Sequence, residues 1–443
     1  MSASIFSKKV KLIIVGNGDR ATCYGKYALF HTEKLQIVAI VDPVQRKREE
    51  GAKLYGVPEE MLFKSVDDCL AYRDKHGEFA DAVFIGTMDE LHYQTAMPFL
   101  RKGYNMLIEK PVVNNLPQLL EIQRAAEENG CLLMVCHVLR YTPFFKTIKE
   151  IVQSGEIGEI IHMESSENVG IAHASNSYIR GKWNNTEKCG SSLLLAKCCH
   201  DMDLFCWLNR DTEPIEVASF GGRNFIVPEK APKGAGERCL VDCPHVDTCQ
   251  YSARSIYLLN DRYPYYSWDC IDKSYNDITY EEKEESLKTV NPHGICVYKT
   301  GSDLVDHQSV MVRFANGSTA THNMLLGTVV PRRLMRIVGT KGEIEGSVDF
   351  CKITVFGYDF EKASYTRRTI DVTDRIAEGD HHAGGDFGII SDFINMVSGG
   401  ETSISCTKIQ DSIYGHVCVF KADESMNDGT VKYIREVNMN EYN

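Results

Sequence analysis

A short apolar run followed by a glycine-rich turn constrains this chain more than any other feature. The run at residues 11–15 leads into Gly16-Asn17-Gly18, and a helical pattern begins directly afterwards. A second apolar run, at residues 37–41, ends in Asp42, roughly twenty residues beyond the turn. This order of strand, glycine turn, helix, strand and acid predicts a dinucleotide-binding βαβ unit.

The small residues of the turn have separate physical roles. Gly16 lets the chain turn tightly, Gly18 lets the backbone approach a pyrophosphate, and Ala21 allows helix and strand to pack closely. Unpaired N–H groups and the positive end of the helix dipole favour phosphate at the start of the helix. We therefore expect Gly16, Gly18, Asp19 and Arg20 to line a nucleotide site.

The acid at the end of the second strand indicates which cofactor is bound. The carboxylate of Asp42 can accept hydrogen bonds from a ribose 2′-hydroxyl and would repel a 2′-phosphate. Arg46 and Lys47 follow closely and either soften that preference or are solvated helix residues. The pattern favours NAD over NADP.

Length and charge narrow the classes of protein to which the chain can belong. A chain of 443 residues exceeds one ordinary core and suggests two domains. The net charge of −12, without a basic block, argues against nucleic acid or an anionic membrane as partner. No apolar run is long enough to cross a bilayer, and the polar start leaves no room for a signal peptide. We expect a cytoplasmic protein whose sixteen cysteines are mostly reduced.

Apolar runs alternate with helical segments through the first third of the chain. This alternation predicts a parallel, doubly wound sheet in a first domain, residues 1–140. In the second domain, residues 141–443, strand-like segments joined by turns such as Asn316-Gly317 predict an open, mostly antiparallel sheet. Residues 225–300 are rich in Pro, Gly, Cys and Tyr and are interpreted as an insertion. Helical segments at 386–397 and 412–425 are expected to pack back on the first domain.

Several motifs, taken in order, resemble those of the Gfo/Idh/MocA family, which includes glucose–fructose oxidoreductase and inositol dehydrogenase. They are the glycine turn with Asp42, the tripeptide Glu109-Lys110-Pro111, Arg140-Tyr141 before a linking helix, and a helix with His200-Asp201. The resemblance covers nearly the whole chain outside the insertion. It implies an N-terminal Rossmann domain, a C-terminal α/β domain whose open sheet often forms homo-oligomers, and NAD(P)-dependent chemistry at a sugar or polyol hydroxyl.

Lys110 is the first candidate catalytic residue. It follows an apolar run at the carboxyl end of a parallel strand, where ligands of such sheets bind. Oxidation of a carbinol needs a base for the hydroxyl proton, and a lysine beside a cationic nicotinamide gives up its proton more readily. Pro111 indicates a fixed geometry, which a cis bond would provide. Thr87, His92 and Glu109, at the neighbouring strand ends, are expected to contact the cofactor with Lys110.

A predicted helix in the second domain carries Lys197, His200 and Asp201 at positions i, i+3 and i+4, so one helical face can present all three. The resemblance implies a substrate-binding histidine at His200, usually with an acid four residues earlier. That position here is Ala196, so Lys197 or Asp201 takes over the acid–base role, or the reaction differs. The catalytic candidates are thus Lys110, His200 and Lys197.

Further residues are expected to line the substrate cleft. The candidates, with Asp201, are Arg140, His173, Tyr178, Arg180 and His382. Arg180 can bind a carboxylate or sugar hydroxyls through its planar guanidinium, or it can anchor a loop by stacking with Trp183. His381 and His382 are adjacent, so at most one of them is expected to reach substrate.

Cysteines in the insertion suggest a structural metal site. Cys239, Cys243 and Cys249 have a spacing tolerable for zinc, and Cys270 or Cys296 would be the fourth ligand. The set Cys239, Cys243, Cys249 and Cys296 is our prediction. The alternative is that these thiols pack as small apolar groups.

The sequence as a whole predicts an NAD-dependent oxidoreductase acting on a hydroxyl of a cyclic sugar, polyol or glycoside. One alternative is an NAD-dependent glycosidase that works by transient oxidation, elimination and hydride return. Another is a non-catalytic cofactor-binding sensor, which would not need Lys110 or His200. The expected partners are a small carbohydrate and further copies of the chain.

Overall fold

The structure is a computed structural model that describes residues 9–376 and 384–434. Apolar segments near the N-terminus form a first sheet, whose strands are short and buried on both faces. They are β1 (Val10–Val15), β2 (Leu35–Val41), β3 (Leu62–Phe63), β4 (Ala82–Ile85), β5 (Asn105–Ile108) and β6 (Leu133–Val135).

All pairings in the first sheet are parallel, and its order is β3-β2-β1-β4-β5-β6. The order reverses between β1 and β4, where ligands of doubly wound sheets bind at the carboxyl ends. Helices connect the strands: α1 (Asp19–Gly25), α2 (Tyr27–Phe30), α3 (Gln45–Tyr55), α4 (Val66–His76), α5 (His92–Leu100) and α6 (Leu116–Glu128).

A second, larger sheet follows the first in the chain. Its strands are β7 (Ile160–Gly170), β8 (Pro214–Gly222), β9 (His307–Phe314), β10 (Thr319–Thr328), β11 (Arg332–Gly339), β12 (Gly342–Ser347), β13 (Lys352–Asp359), β14 (Ser364–Asp371) and β15 (Lys432–Tyr433). The order is β14-β13-β12-β11-β7-β10-β9-β8-β15. Only the β7–β10 pair is parallel among the pairings of the described residues. Buried and exposed residues alternate along β9, so one face of this sheet is packed and the other is open.

Helices of the second part join the two sheets. They are α7 (Pro143–Gln153), α8 (Ile171–His173), α9 (Thr186–Cys189), α10 (Cys199–Leu208), α11 (Pro264–Ser267), α12 (Tyr280–Lys288), α13 (Asp386–Val397) and α14 (Ile409–Asp428). Ile389 and Phe393 of α13 share a buried core with Ile14 and Phe84 of the first sheet. π-Helical turns at Ala174–Ile179 and Leu194–Cys198 precede two candidate site segments.

The predicted fold class is confirmed: a parallel Rossmann-type sheet precedes a mostly antiparallel open sheet. Residues 225–300 contribute no strand to either sheet in the described structure, and they hold a separate small core that includes Tyr257, Trp268 and Leu287. None of the helices formed by the described residues is both long and apolar enough to traverse a bilayer.

Candidate active site

The glycine turn has the geometry that a dinucleotide needs. Gly16 has a φ of +83°, and a Cβ there would lie 2.7 Å from the carbonyl oxygen of Gly86. A side chain is therefore excluded by both the backbone conformation and the close approach of two loops. Gly18 precedes α1, and no described heavy atom lies within 4 Å of its ideal Cβ position. The turn thus leaves open space at the helix N-terminus, which fits a phosphate group.

Asp42 lies beside this turn at the end of β2. Its carboxylate accepts hydrogen bonds from the backbone N–H of Asn17 and of Val44, both at 2.9 Å. These two bonds fix the orientation of a carboxylate that has about four acceptor positions. Asp42 is therefore held where it can still accept a hydroxyl hydrogen.

Arg20 and Glu109 connect the turn to the end of β5. Arg20 pairs with Glu109 at 3.1 Å and with Asp386 of α13 at 2.8 Å. Glu109 also accepts a hydrogen bond from the backbone N–H of Lys110 at 3.0 Å. The predicted cofactor residues Arg20 and Glu109 thus form one ion-pair network at the base of the cleft, and Asp386 ties α13 to it.

His92 lies between two strand ends. Its ring nitrogens are 2.7 Å from the carbonyl oxygen of Pro111 and 3.1 Å from that of Thr87. It therefore holds the loop after β4 against the loop after β5. The Lys110–Pro111 peptide bond is cis, as the tripeptide suggested.

Lys110 reaches across from the first sheet to the second part of the chain. Its Nζ donates a hydrogen bond to the carbonyl oxygen of Ala196 at 2.6 Å. At the position where the resemblance led us to look for an acid, the lysine thus meets a backbone oxygen. Lys110 can therefore be positioned without a carboxylate partner at residue 196.

A cluster of buried histidines lies beside Lys110. The ring of His137 is 5.5 Å from that of His200 and 5.4 Å from that of His416. Burial lowers the pKa of His200 and of His137 well below the usual value, and the Lys110 ammonium lowers each further. Burial also lowers the pKa of His416 to about 4. The cluster is therefore neutral near pH 7, and a neutral imidazole can accept or donate a hydrogen bond.

Two of these histidines have buried ring nitrogens whose hydrogen-bonding capacity is not used within the described residues. Nδ1 of His200 and both ring nitrogens of His137 make no hydrogen bond to the described residues. His416 differs, because its Nε2 accepts a hydrogen bond from the backbone N–H of Val112 at 3.0 Å. The sequence motifs did not single out His137, although its place just after the last parallel strand is a signal that could have identified it.

Lys197 is part of a second network, to which β7 contributes a carboxylate. Lys197 pairs with Glu167 at 3.1 Å, and Arg333 of β11 pairs with the same Glu167 at 2.8 Å. Burial alone would raise the pKa of Glu167, but the two cations lower it to about 2. Glu167 was also missed, because a polar residue within an amphipathic strand carries no sequence signal for a buried ion pair.

Two residues that were predicted to bind substrate form ion pairs in the protein interior. Asp201 is fully buried and pairs with Arg333 at 3.2 Å. Arg140 is also buried and makes two hydrogen bonds to Asp203, at 2.7 and 2.5 Å. The prediction that these side chains contact substrate is wrong, since their charges are satisfied within the core. A π-helical turn precedes α10. Lys197 and Asp201 then lie in the ion-pair network of Arg333, whereas His200 lies beside Lys110.

Aromatic residues form one wall of the cleft. His173 stacks on Tyr263 of the insertion at 5.3 Å and lies 5.5 Å from Tyr178. Trp183 is 6.3 Å from Tyr178 and donates a hydrogen bond from Nε1 to Asp89. Aromatic side chains in such a group are suited to the apolar face of a sugar ring.

Arg180 does not belong to this wall. Its buried guanidinium donates hydrogen bonds to the carbonyl oxygens of Ile295 and Tyr251, at 2.6 and 2.9 Å. The substrate-binding prediction for Arg180 is corrected, because the side chain anchors the insertion. His382 lies outside the described residues.

The four cysteines predicted to bind metal line one small cavity in the insertion. Cys239 Sγ accepts a hydrogen bond from Arg180, and Cys249 Sγ accepts one from the backbone N–H of Tyr251, both at 3.4 Å. Burial raises the pKa of the Cys249 and Cys296 thiols.

The distances do not fit a closed zinc site. In the part of the chain that the structure describes, the only three candidate ligand atoms within 4.8 Å of one another belong to Cys198, Asp201 and His322. No three of Cys239, Cys243, Cys249 and Cys296 satisfy that limit, and a tetrahedral thiolate site needs closer sulfurs. Zinc in the insertion is therefore not supported. At the Cys198 group, Arg333 already neutralises Asp201.

Comparison with protein families matches both parts of the chain. Residues 10–137 match the NAD-binding Rossmann fold of the Gfo/Idh/MocA oxidoreductase family. Residues 145–236 match the family's C-terminal domain. The first match contains the glycine turn, Asp42 and Lys110, and the second contains Glu167, Lys197 and His200.

Individual oxidoreductases and related enzymes are similar in sequence over parts of the chain. The Bacillus subtilis protein YteT is 24% identical over 272 residues, 60% of each chain. The 2,7-anhydro-N-acetylneuraminate hydratase of Mediterraneibacter gnavus is 27% identical over 161 residues, 36% of this chain and 40% of the hydratase. The chain thus spans less than two thirds of the length of these relatives. A structure of levoglucosan dehydrogenase with NADH and levoglucosan shares the fold, with a TM-score of 0.67, 15% identity and coverage of 96% and 99%.

Proposed function

The chain belongs to the Gfo/Idh/MocA oxidoreductase family, and we propose that it is an NAD-dependent oxidoreductase acting on a hydroxyl of a cyclic sugar, polyol or glycoside. One observation carries this proposal. Lys110 follows β5 at the carboxyl end of the parallel sheet, beside Glu109, which pairs with Arg20 of α1, and burial and the nearby Lys110 ammonium lower the pKa of His200. This supports a base and a neutral, hydrogen-bonding imidazole near the nicotinamide of a bound dinucleotide.

Each residue of the cleft has a separate role in the proposed reaction. NAD, when bound along Gly16, Gly18 and Asp42, supplies the hydride acceptor. Lys110 takes the proton from the substrate hydroxyl, with the Ala196 carbonyl oxygen holding its ammonium form. His200 donates or accepts a hydrogen bond at the same oxygen as a neutral ring.

Lys197 has a supporting role in this proposal. Its pairing with Glu167 fixes the ammonium group near the cleft, and after burial, the main cause, nearby cations that include Lys197 lower the pKa of His200 further. The aromatic wall of His173, Tyr178 and Trp183 packs on the ring of the substrate. Its apolar faces favour a cyclic carbohydrate over an extended chain.

A second candidate is the NAD-dependent glycosidase. Ala196 removes the usual acid, and the lysine at 197 adds a cation held by Glu167. The similarity to a protein named as an anhydro-sugar hydratase also favours chemistry beyond simple oxidation. The sensor alternative is disfavoured, since it needs neither Lys110 nor His200.

Turnover in deuterated water separates the two enzymatic candidates. The purified protein is incubated with NAD and a panel of cyclic sugars, polyols and glycosides, while NADH and product are followed. The dehydrogenase produces one NADH for each oxidised product. Glycoside cleavage without net NADH, with deuterium on a ring carbon, would replace it with the glycosidase. Tighter binding of NADP than of NAD would contradict the cofactor assignment.

We also propose a cytoplasmic homo-oligomer that assembles through the open face of the second sheet. Met311, Leu325 and Leu334 point outward from β9, β10 and β11, with 55%, 41% and 39% of their surface exposed. Exposed apolar side chains on the open face of a sheet favour burial against another surface. Light scattering should give a multiple of 49.9 kDa, and Met311→Asp should reduce it.

A further inference from the structure

The insertion contributes an acid to the edge of the first sheet where a dinucleotide ribose would bind. Asp269 of the insertion lies against the start of α3. Its carboxylate is 3.3 Å from Arg46 and 3.4 Å from Lys47. These are the two cations that follow Asp42 along the chain, at the place where dinucleotide-binding folds that accept NADP hold a 2′-phosphate with an arginine.

Other charges around Arg46 and Lys47 strengthen the arrangement. Lys182 pairs with Asp269 at 2.9 Å, while Glu50 and Asp272 contact Arg46 at 3.3 and 3.4 Å. The fourth nearby cation, Arg48, donates to the carbonyl oxygens of Asp42 and Pro43 instead. Asp269 is the acid that contacts both Arg46 and Lys47, and its side chain is only 22% exposed, whereas that of Asp272 is 91% exposed.

The same segment of the insertion also contacts the phosphate-binding turn. The hydroxyl of Tyr266 lies 3.4 Å from the Asp19 carboxylate, which opens α1. Ser274 donates a hydrogen bond to Glu50 on α3 at 2.6 Å. Residues 266–274 therefore lie along the cofactor edge and hold Asp269 in place from both sides.

We propose that Asp269 is a cofactor-specificity determinant: it occupies Arg46 and Lys47, so that neither is available for a 2′-phosphate, and it adds a negative charge that repels one. The inference rests on the proposed NAD-binding function. It assigns the NAD preference to two acids, Asp42 on β2 and Asp269 on the insertion. Without Asp269, Arg46 and Lys47 would form a cationic site for the 2′-phosphate of NADP.

Calorimetric titration of NAD and NADP into cofactor-free wild-type protein and Asp269→Asn tests the proposal. The substitution keeps the shape of the side chain and removes its charge. We expect the Kd for NADP to fall about tenfold, while the Kd for NAD changes less than about threefold. The matched control Asp272→Asn, which also removes an acid beside Arg46, should leave both constants nearly unchanged.

A third variant links any gain to the cations. In the triple variant, which combines Asp269→Asn with Arg46→Ala and Lys47→Ala, the improved NADP binding should disappear. In the single variant Asp269→Asn, NADP binding should weaken as the salt concentration is raised. An unchanged NADP Kd in Asp269→Asn, with NAD still bound, would overturn this inference alone. Wild-type protein that binds neither cofactor would overturn the proposed function as well. A gain in NADP affinity that persists in the triple variant would overturn the inference about Asp269.

Discussion

The two sides of the cleft are built in different ways. The cofactor side depends on backbone: a left-handed Gly16, the open space at Gly18 and strand ends arranged by a parallel sheet. The substrate side depends on buried side chains brought together from distant segments, such as the Glu167 pairs with Lys197 and Arg333. Changes on the cofactor side should therefore alter dinucleotide affinity, and changes on the substrate side should alter turnover and stability.

The largest effect is expected for the two residues placed at the reacting hydroxyl. Lys110→Met and His200→Ala should each lower kcat on the order of a hundredfold or more, the usual scale for lost acid–base assistance. The Kd for NAD should stay close to wild type, because neither change alters the glycine turn. Steady-state kinetics with fluorescence titration of NAD measure both quantities. Near-normal turnover by either variant would show that its residue is wrongly assigned.

The buried network on the substrate side can be separated from surface ion pairs. Glu167→Gln leaves Lys197 and Arg333 without their shared carboxylate, so the free energy of unfolding should fall by about 3 kcal/mol. Glu164→Gln is the matched control, since Glu164 lies on the same strand and pairs with Arg336 at the surface. Its cost should stay below about 1 kcal/mol. Urea denaturation of both variants gives the comparison, and equal losses would contradict a buried network.

Substitutions of Gly16 and Gly18 test the cofactor side of the cleft, because one should change stability and the other NAD affinity. Gly16→Ala should lower the free energy of unfolding by about 2 kcal/mol, because φ is positive and the new Cβ would contact Gly86. Gly18→Ala should leave stability within about 0.5 kcal/mol, since φ is −91° and the site is open. It should nevertheless weaken NAD binding about tenfold or more, because the methyl group would lie where the pyrophosphate binds. Unchanged NAD affinity in Gly18→Ala would place the dinucleotide elsewhere.

Each histidine of the cluster contributes a smaller effect, which depends on pH. His137, His200 and His416 have lowered pKa values in the folded protein, and the unfolded chain takes up protons near pH 6.5. Stability is therefore greatest above pH 6.5 and falls as the pH falls, by about 1.4 kcal/mol per pH unit for each neutral histidine. Urea denaturation at pH 7.5 and 5.5 measures the slope. In His416→Gln the slope should fall by the contribution of one histidine, and an unchanged slope would refute the explanation.

The difference between local backbone patterns on the cofactor side and distant side-chain pairs on the substrate side explains what the sequence could predict. Gly16, Asp42 and Lys110 belong to local patterns in which strand, turn and helix are adjacent in the chain, so their positions followed from those patterns. Asp269 lies 223 residues from Arg46, and no local pattern relates them. Arg140, Arg180 and Asp201 had suitable chemistry for substrate, but their partners Asp203, Ile295 and Arg333 become neighbours only in the folded chain.

The most direct test of the central claim is a single turnover of NAD-loaded wild-type protein, followed by absorbance at the wavelength of reduced nicotinamide. Both enzymatic candidates require hydride transfer to bound NAD from the ring carbon that bears the reacting hydroxyl. We expect at least one cyclic sugar, polyol or glycoside of the panel to produce a signal approaching one NADH per site, and Lys110→Met to produce almost none in the same time. Stoichiometric NAD binding with no reduction by any member of the panel would contradict the claim.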